Sequence, residues 1–144
     1  MSNVIIVDTS GSMGEVGKGA VVRNVLYALE NILKMEHSEF DYGIYSWHDT
    51  VEEWGKKVSY SGKTDPQPLK TLFDKNGVGN VLLVTDGNFS EDAIKYLKTV
   101  SIMCTVLLVG RDCNTARIKR IFQADKIYNT TDVVTCIENY VNEG

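Results

Sequence analysis

The strongest constraint on the fold is a short apolar run that ends in a carboxylate and two hydroxyls. Val4-Ile5-Ile6-Val7 is wholly apolar and rich in β-branched residues, the pattern of a strand covered on both faces. Asp8-Thr9-Ser10-Gly11-Ser12-Met13 follows directly. A helical pattern opens a few residues later. The loop therefore lies at the carboxyl end of a strand, where open α/β sheets hold their ligands. Asp8, Ser10 and Ser12 offer only hard oxygen atoms, and no nucleophile–base pair is apparent among them. Oxygen-only ligation points to magnesium, calcium or manganese rather than zinc or copper.

A second carboxylate has the same setting. Val81-Leu82-Leu83-Val84 is another buried-strand run, and Thr85-Asp86-Gly87 ends it. Between the two lies the polar loop Ser61-Gly62-Lys63-Thr64-Asp65-Pro66. The Asp-x-Ser-x-Ser run, a later loop Thr and a strand-ending Thr-Asp-Gly together resemble the von Willebrand factor A (VWA) domain, the integrin inserted-domain fold. The resemblance covers the whole chain in the order of its parts. In that family these positions form a metal-ion-dependent adhesion site. By that resemblance Ser10 and Ser12 ligate the ion directly, Thr64 directly or through water, and Asp8 and Asp86 mostly through ordered waters. The middle loop departs from the family, which often has Gly-Gly-Thr where this chain has Gly62-Lys63-Thr64. Ser59 and Ser61 are also within reach; Thr64 is favoured over Ser61 because Gly62 precedes it and Asp65-Pro66 follows.

At 144 residues the chain is expected to form one domain, residues 1–144, large enough for a core without staples. A net charge of −4 argues against a nucleic-acid binder that relies on a broad basic face. The three cysteines, Cys104, Cys113 and Cys136, include no Cys-x-x-Cys and read as reduced thiols. The start has no signal-peptide pattern, and no segment has the roughly 20 apolar residues of a membrane span. The expectation is a cytoplasmic protein with no membrane partner.

The remaining pattern alternates strand and helix, which implies a largely parallel sheet covered on both faces. Val22, Val25, Leu26, Leu29, Ile32 and Leu33 share one face of a helix from Lys18 to Met35. Phe40 to Trp47 alternates as a strand, and Thr50 to Tyr60 suits an antiparallel edge arm. Pro66 and Pro68 open a helix that Asn76-Gly77 ends. Ser90 and Asn114 are candidate helix N-caps. Ala124 to Tyr128 reads as the last strand. Thr130 or Thr131 is expected to cap a final helix with Val133, Val134, Ile137 and Val141 inward. The fold class is a Rossmann-like three-layer α/β sandwich: six strands, mostly parallel, one antiparallel at an edge.

Competing chemistries fit less well. Gly11 to Gly19 with Lys18 misses the phosphate-loop spacing and its hydroxyl after the lysine. A haloacid-dehalogenase-type magnesium phosphatase needs a second Asp where Ser10 stands, and a serine cannot do that proton transfer. His48-Asp49 reads as a surface or capping pair. The expected function is a magnesium-dependent protein-interaction module (calcium or manganese being able to replace magnesium), in which a partner's Asp or Glu completes the coordination. The two acidic groups should make the bare pocket negative. Met13, Lys63, Asn88 and Phe89 are expected to rim the docking face, Met13 and Phe89 by apolar contact. The resemblance further implies a partner such as a MoxR-type AAA ATPase, or a stress-response or phage-defence complex. The alternative is a metal-indifferent scaffold.

Overall fold

The computed structural model describes residues 2–15, 17–55, 58–110 and 113–142. Six strands form one sheet: β1 Ser2–Asp8, β2 Tyr42–Trp47, β3 Val51–Glu53, β4 Val78–Thr85, β5 Cys104–Leu108 and β6 Ile127–Asn129. Their order is β3-β2-β1-β4-β5-β6. Every neighbouring pair is parallel except β2 with β3. The helices are α1 Lys18–Glu36, α2 Pro66–Asn76, α3 Glu91–Val100, α4 Thr115–Lys119 and α5 Val133–Asn142.

The central strands read as continuous apolar runs because both of their faces are covered. Side chains alternate along each strand, so one run feeds two cores. Val4, Ile6, Val81, Leu83, Val106 and Leu108 pack with Leu69 and Phe73 of α2, Ala93, Ile94 and Leu97 of α3, and Ile118 of α4. Ile5, Val7, Leu82, Val84 and Leu107 pack on the other face with Val22, Val25, Leu26, Leu29 and Leu33 of α1 and Cys136, Ile137 and Tyr140 of α5. These are the three layers expected from the pattern.

Local signals act where the sequence placed them. The Asp65 side chain accepts from Gln67 N at the start of α2, and Gly77 ends that helix at φ 57°. Ser90 and Asn114 cap α3 and α4 by accepting from Ala93 N and Arg117 N. Several boundaries differ. Phe40 precedes β2 and instead meets Tyr140 edge-on, ring centroids 5.3 Å apart. Ala124–Lys126 is a 3-10 turn, and the last strand is Ile127–Asn129. Thr130 and Thr131 fall inside another 3-10 turn, ahead of α5. Val134 is 54% exposed rather than inward, and Cys136 takes an inward place. The predicted arm from Thr50 to Tyr60 forms a strand only over Val51–Glu53; Lys56 and Lys57 lie outside the described residues.

The fold places two carboxylates side by side. β1 sits between β2 and β4, and its register pairs Val7 with Val84. Asp8 therefore emerges beside Thr85 and Asp86, where connections leave β1 on either side. That is the switch point of an open α/β sheet.

Candidate metal site at the carboxyl end of the sheet

Asp8 is fully buried and surrounded by donors. Its Oδ1 accepts from Ser10 N at 2.9 Å and Ser10 Oγ at 2.7 Å. Its Oδ2 accepts from Thr85 Oγ1 at 2.6 Å. The Thr85 hydroxyl in turn accepts from Gly87 N at 3.0 Å. Loss of water pushes the Asp8 carboxyl up to about 6; the bonds from Ser10 and Thr85 pull the other way, and nearby Asp86 adds a smaller push upward.

Asp86 is also fully buried. Its Oδ1 accepts from Asn88 N at 3.1 Å. Its Oδ2 accepts from the ammonium of Lys18 at 3.0 Å. Lys18 is 5% exposed. It stands at the first position of α1, after Gly17 at φ 80°, and its Nζ also donates to Ser12 O at 3.1 Å. A third, weaker partner is Glu15 Oε2 at 3.8 Å.

Backbone bonds clamp the loops together. Thr9 N donates to Trp47 O at 2.8 Å, Gly11 N to Gly62 O at 3.0 Å, Ser61 N to Thr9 O at 3.0 Å and Asn114 N to Asp86 O at 2.7 Å. Thr64 is buried. Its Oγ1 accepts from Ser90 N at 3.0 Å, and its carbonyl accepts from Ser90 Oγ at 2.6 Å. Ser61 is exposed. Ser10, Ser12, Gly62, Lys63, Asn88 and Ser90 line a groove of about 570 Å³ above this cluster.

The predicted ligands Asp8, Ser10, Ser12 and Asp86 thus meet at one place, with Thr64 one hydrogen bond below Ser90 on the groove wall. The donor set fits a hard cation. The Ser10 and Ser12 hydroxyls are 3.5 Å apart, near the roughly 3–3.5 Å edge between adjacent oxygens around magnesium or calcium at their usual bond lengths. No described buried side-chain nitrogen or oxygen lacks a hydrogen-bond partner, so the carboxylates are also satisfied by the protein itself.

Three expectations need correction. Met13 is fully buried: the 3-10 turn Gly11–Gly14 directs it into the core shared with α1. Phe89 is 1% exposed and packs 5.9 Å from Trp47, centroid to centroid. Met13 gives a docking face no apolar rim, while Phe89, mostly in the core, lines the groove with Lys63 and Asn88. The bare pocket is not simply negative, because Lys18 brings a positive charge to Asp86. Sequence reasoning considered Lys18 only as a failed phosphate-loop residue and gave Thr85 no role. A lysine six residues after Ser12, straight after a glycine at a helix start, was the available signal.

His48 is tied into the scaffold. Its Nδ1 is 2.9 Å from Thr9 Oγ1 and its Nε2 2.9 Å from Asp49 Oδ1. The series resembles a hydrolytic relay, but Thr9 is fully buried and has no access to a substrate.

No family model and no curated protein matches the chain. Solved structures do. Manganese-loaded TRAP protein of Plasmodium vivax superposes with a TM-score of 0.74 at 16% identity, over 98% of this chain and 73% of that one. The VWA domain of SpRpn10 gives 0.58 at 12% identity, over 99% and 97%. The chain has a von Willebrand factor A-like fold. Proximal thread matrix protein 1 of the mussel byssus gives 0.61 at 15% identity over 99% of this chain, which spans 48% of that protein's length. Identities this low bear on the fold of the VWA-like chain and leave its site to be argued from its own residues. No described helix is long and apolar enough to cross a membrane.

Proposed function

We propose that this chain is a divalent-metal-dependent protein-interaction module that takes a carboxylate from its partner and catalyses no reaction. One observation carries the reading: Ser10 and Ser12, their hydroxyls 3.5 Å apart, line a groove, and Ser10 is hydrogen-bonded to the buried carboxylate of Asp8. Ser10 and Ser12 would hold the ion directly, and Asp8 and Asp86 through water, with Thr64 as the middle-loop ligand. Magnesium is the expected ion. Once bound it supplies a positive, exchangeable coordination position at the floor of the groove. Lys63 on the groove suits an acidic partner, and Asn88 suits hydrogen bonds. A MoxR-type AAA ATPase is a partner class worth testing.

A metal-indifferent scaffold is the second reading. It draws support from the self-sufficient bonding of Asp8 and Asp86. Calorimetric titration with manganese separates the two. The module reading expects one site, weakened at least tenfold in Ser10→Ala/Ser12→Ala. It also expects partners recovered from native lysate to be lost with chelator. Equal metal binding in that double variant, or the same partners at the same yield under chelation, would move the assignment to the scaffold.

A further inference from the structure

Lys18 is a second cation built into the cluster proposed to hold a metal. Its side chain is 6% exposed, and that of its partner Asp86 is 0% exposed. The ammonium donates to Asp86 Oδ2 and to the carbonyl of Ser12, a residue that lines the groove. Any ion held by Ser10 and Ser12 must therefore share Asp86 with a positive charge already in place. Lys18 and Asp86 are buried, so repulsion between the two cations is less screened than at the surface. Removing the ammonium would also leave Asp86 buried without its counter-charge.

We propose that Lys18 is a tethered competitor of the divalent ion. It neutralises Asp86 in the metal-free protein, keeps the β1–α1 and β4–α3 loops together there, and lowers metal affinity. The site would then load only where the divalent ion is abundant. This rests on the metal-site reading above. It goes further by assigning Lys18 to the resting state and to the setting of affinity.

The test compares wild type, Lys18→Met and Lys18→Gln by manganese calorimetry and by melting with and without magnesium. Gln keeps a hydrogen-bond donor without charge, so it carries the test if Met fails to fold. The expected result is manganese binding at least tenfold tighter in the neutral variants. Their metal-free melting temperature should fall, and their rise with magnesium should exceed that of wild type. A wild-type measurement needs no variant: reductive methylation of Lys18, followed by mass spectrometry, should speed up at saturating magnesium. Manganese affinity unchanged or weaker in the variants, with the wild type still binding, overturns the competitor role and leaves the metal site standing. No manganese binding in any of the three overturns both.

Discussion

The two ends of α1 each carry a cluster of charged side chains, and they are built in opposite ways. At its start, Lys18 meets Asp86 with both side chains almost wholly enclosed, 6% and 0% exposed. At its end, about 28 Å away along a helix of this length, His37 Nε2 meets Glu138 Oε1 at 2.9 Å with 19% and 43% exposure. Glu36 joins the second cluster, and its three ligand atoms lie within 4.8 Å of one another. Proximity alone would rank the two as equals. They differ in what surrounds them. Near Lys18 the backbone N–H groups of Ser10 and Asn88, together with the Thr85 and Ser10 hydroxyls, are aimed at the carboxylates. Near His37 the pair is partly exposed to solvent, and screening leaves little energy in it. A site is better recognised by enclosed groups with converging partners than by the closeness of charges.

The largest test of this contrast is Asp86→Ala. It leaves the Lys18 ammonium buried without its carboxylate, a class of change that costs about 3–5 kcal/mol. Urea unfolding in chelator should show that loss, and Lys18→Met should recover part of it in the double variant. A cost below about 1 kcal/mol would put Asp86 on a par with the exposed end.

Gly87 tests how tightly the Thr-Asp-Gly turn is closed. Its φ is 83°, and a Cβ there would lie 2.8 Å from Ile118 Cγ1 and 2.9 Å from Asn114 O. Ile118 is fully buried in the core, and the carbonyl belongs to a backbone held by the Asn114–Asp86 bond. Gly17 has nearly the same φ, 80°, with nothing within 4 Å. Gly87→Ala should therefore cost about 2–4 kcal/mol, adding overpacking to left-handed strain. Gly17→Ala should cost only the strain, about 1–2 kcal/mol. Equal melting shifts in the two would mean that the turn can open.

Asp8 supplies a pH test with a definite sign. In the metal-free fold its carboxyl is pushed from 3.8 up to about 6 by burial. A carboxyl raised on folding stabilises fully below its unfolded value, and that stabilisation fades as pH climbs through the folded one. In chelator, stability relative to Asp8→Asn should thus decline between about pH 4 and pH 6, by an amount on the order of 2–3 kcal/mol. Unfolding curves across that window decide the matter. A relative stability that rises with pH would mean that Asp8 is held ionised in the free protein.

Much of this end of the molecule was legible in the sequence because its polar groups stop wholly apolar runs. Asp8 follows Val4–Val7, and Asp86 follows Val81–Thr85, so both were placed at strand ends before any register was known. The six strands and their mixed direction followed from the same alternation. Ser90 and Asn114 were legible as caps, because a short polar side chain before a helix has few other uses. The misses share another cause. Met13 and Phe89 flank polar motifs in segments too short to show a period, so nothing local said which way they turn. Lys18 read only as a helix start and a failed phosphate-loop residue; its burial depends on an acceptor 68 residues away. Thr130 and Thr131 matched a cap by composition, but a 3-10 turn took them.

The smallest expected effect lies at the exposed end. Glu138 sits on α5 and reaches His37, just beyond the last turn of α1, so the pair ties two helices on one face of the sheet. The arrangement resembles a structural staple. The helices, however, are already held by Val25, Leu29, Leu33, Cys136, Ile137 and Tyr140 in one apolar cluster. Burial of such side chains is worth roughly 1.5–3 kcal/mol each. An ion pair with a 43% exposed partner adds at most about 1 kcal/mol, less in salt. Glu138→Ala should therefore lower stability by less than about 1 kcal/mol at pH 6, and by less still in 0.5 M sodium chloride. Urea midpoints at the two salt concentrations measure both. A loss above 2 kcal/mol that persists in salt would mean that the His37 cluster is enclosed in solution as Asp86 is, and the contrast between the two ends would fail.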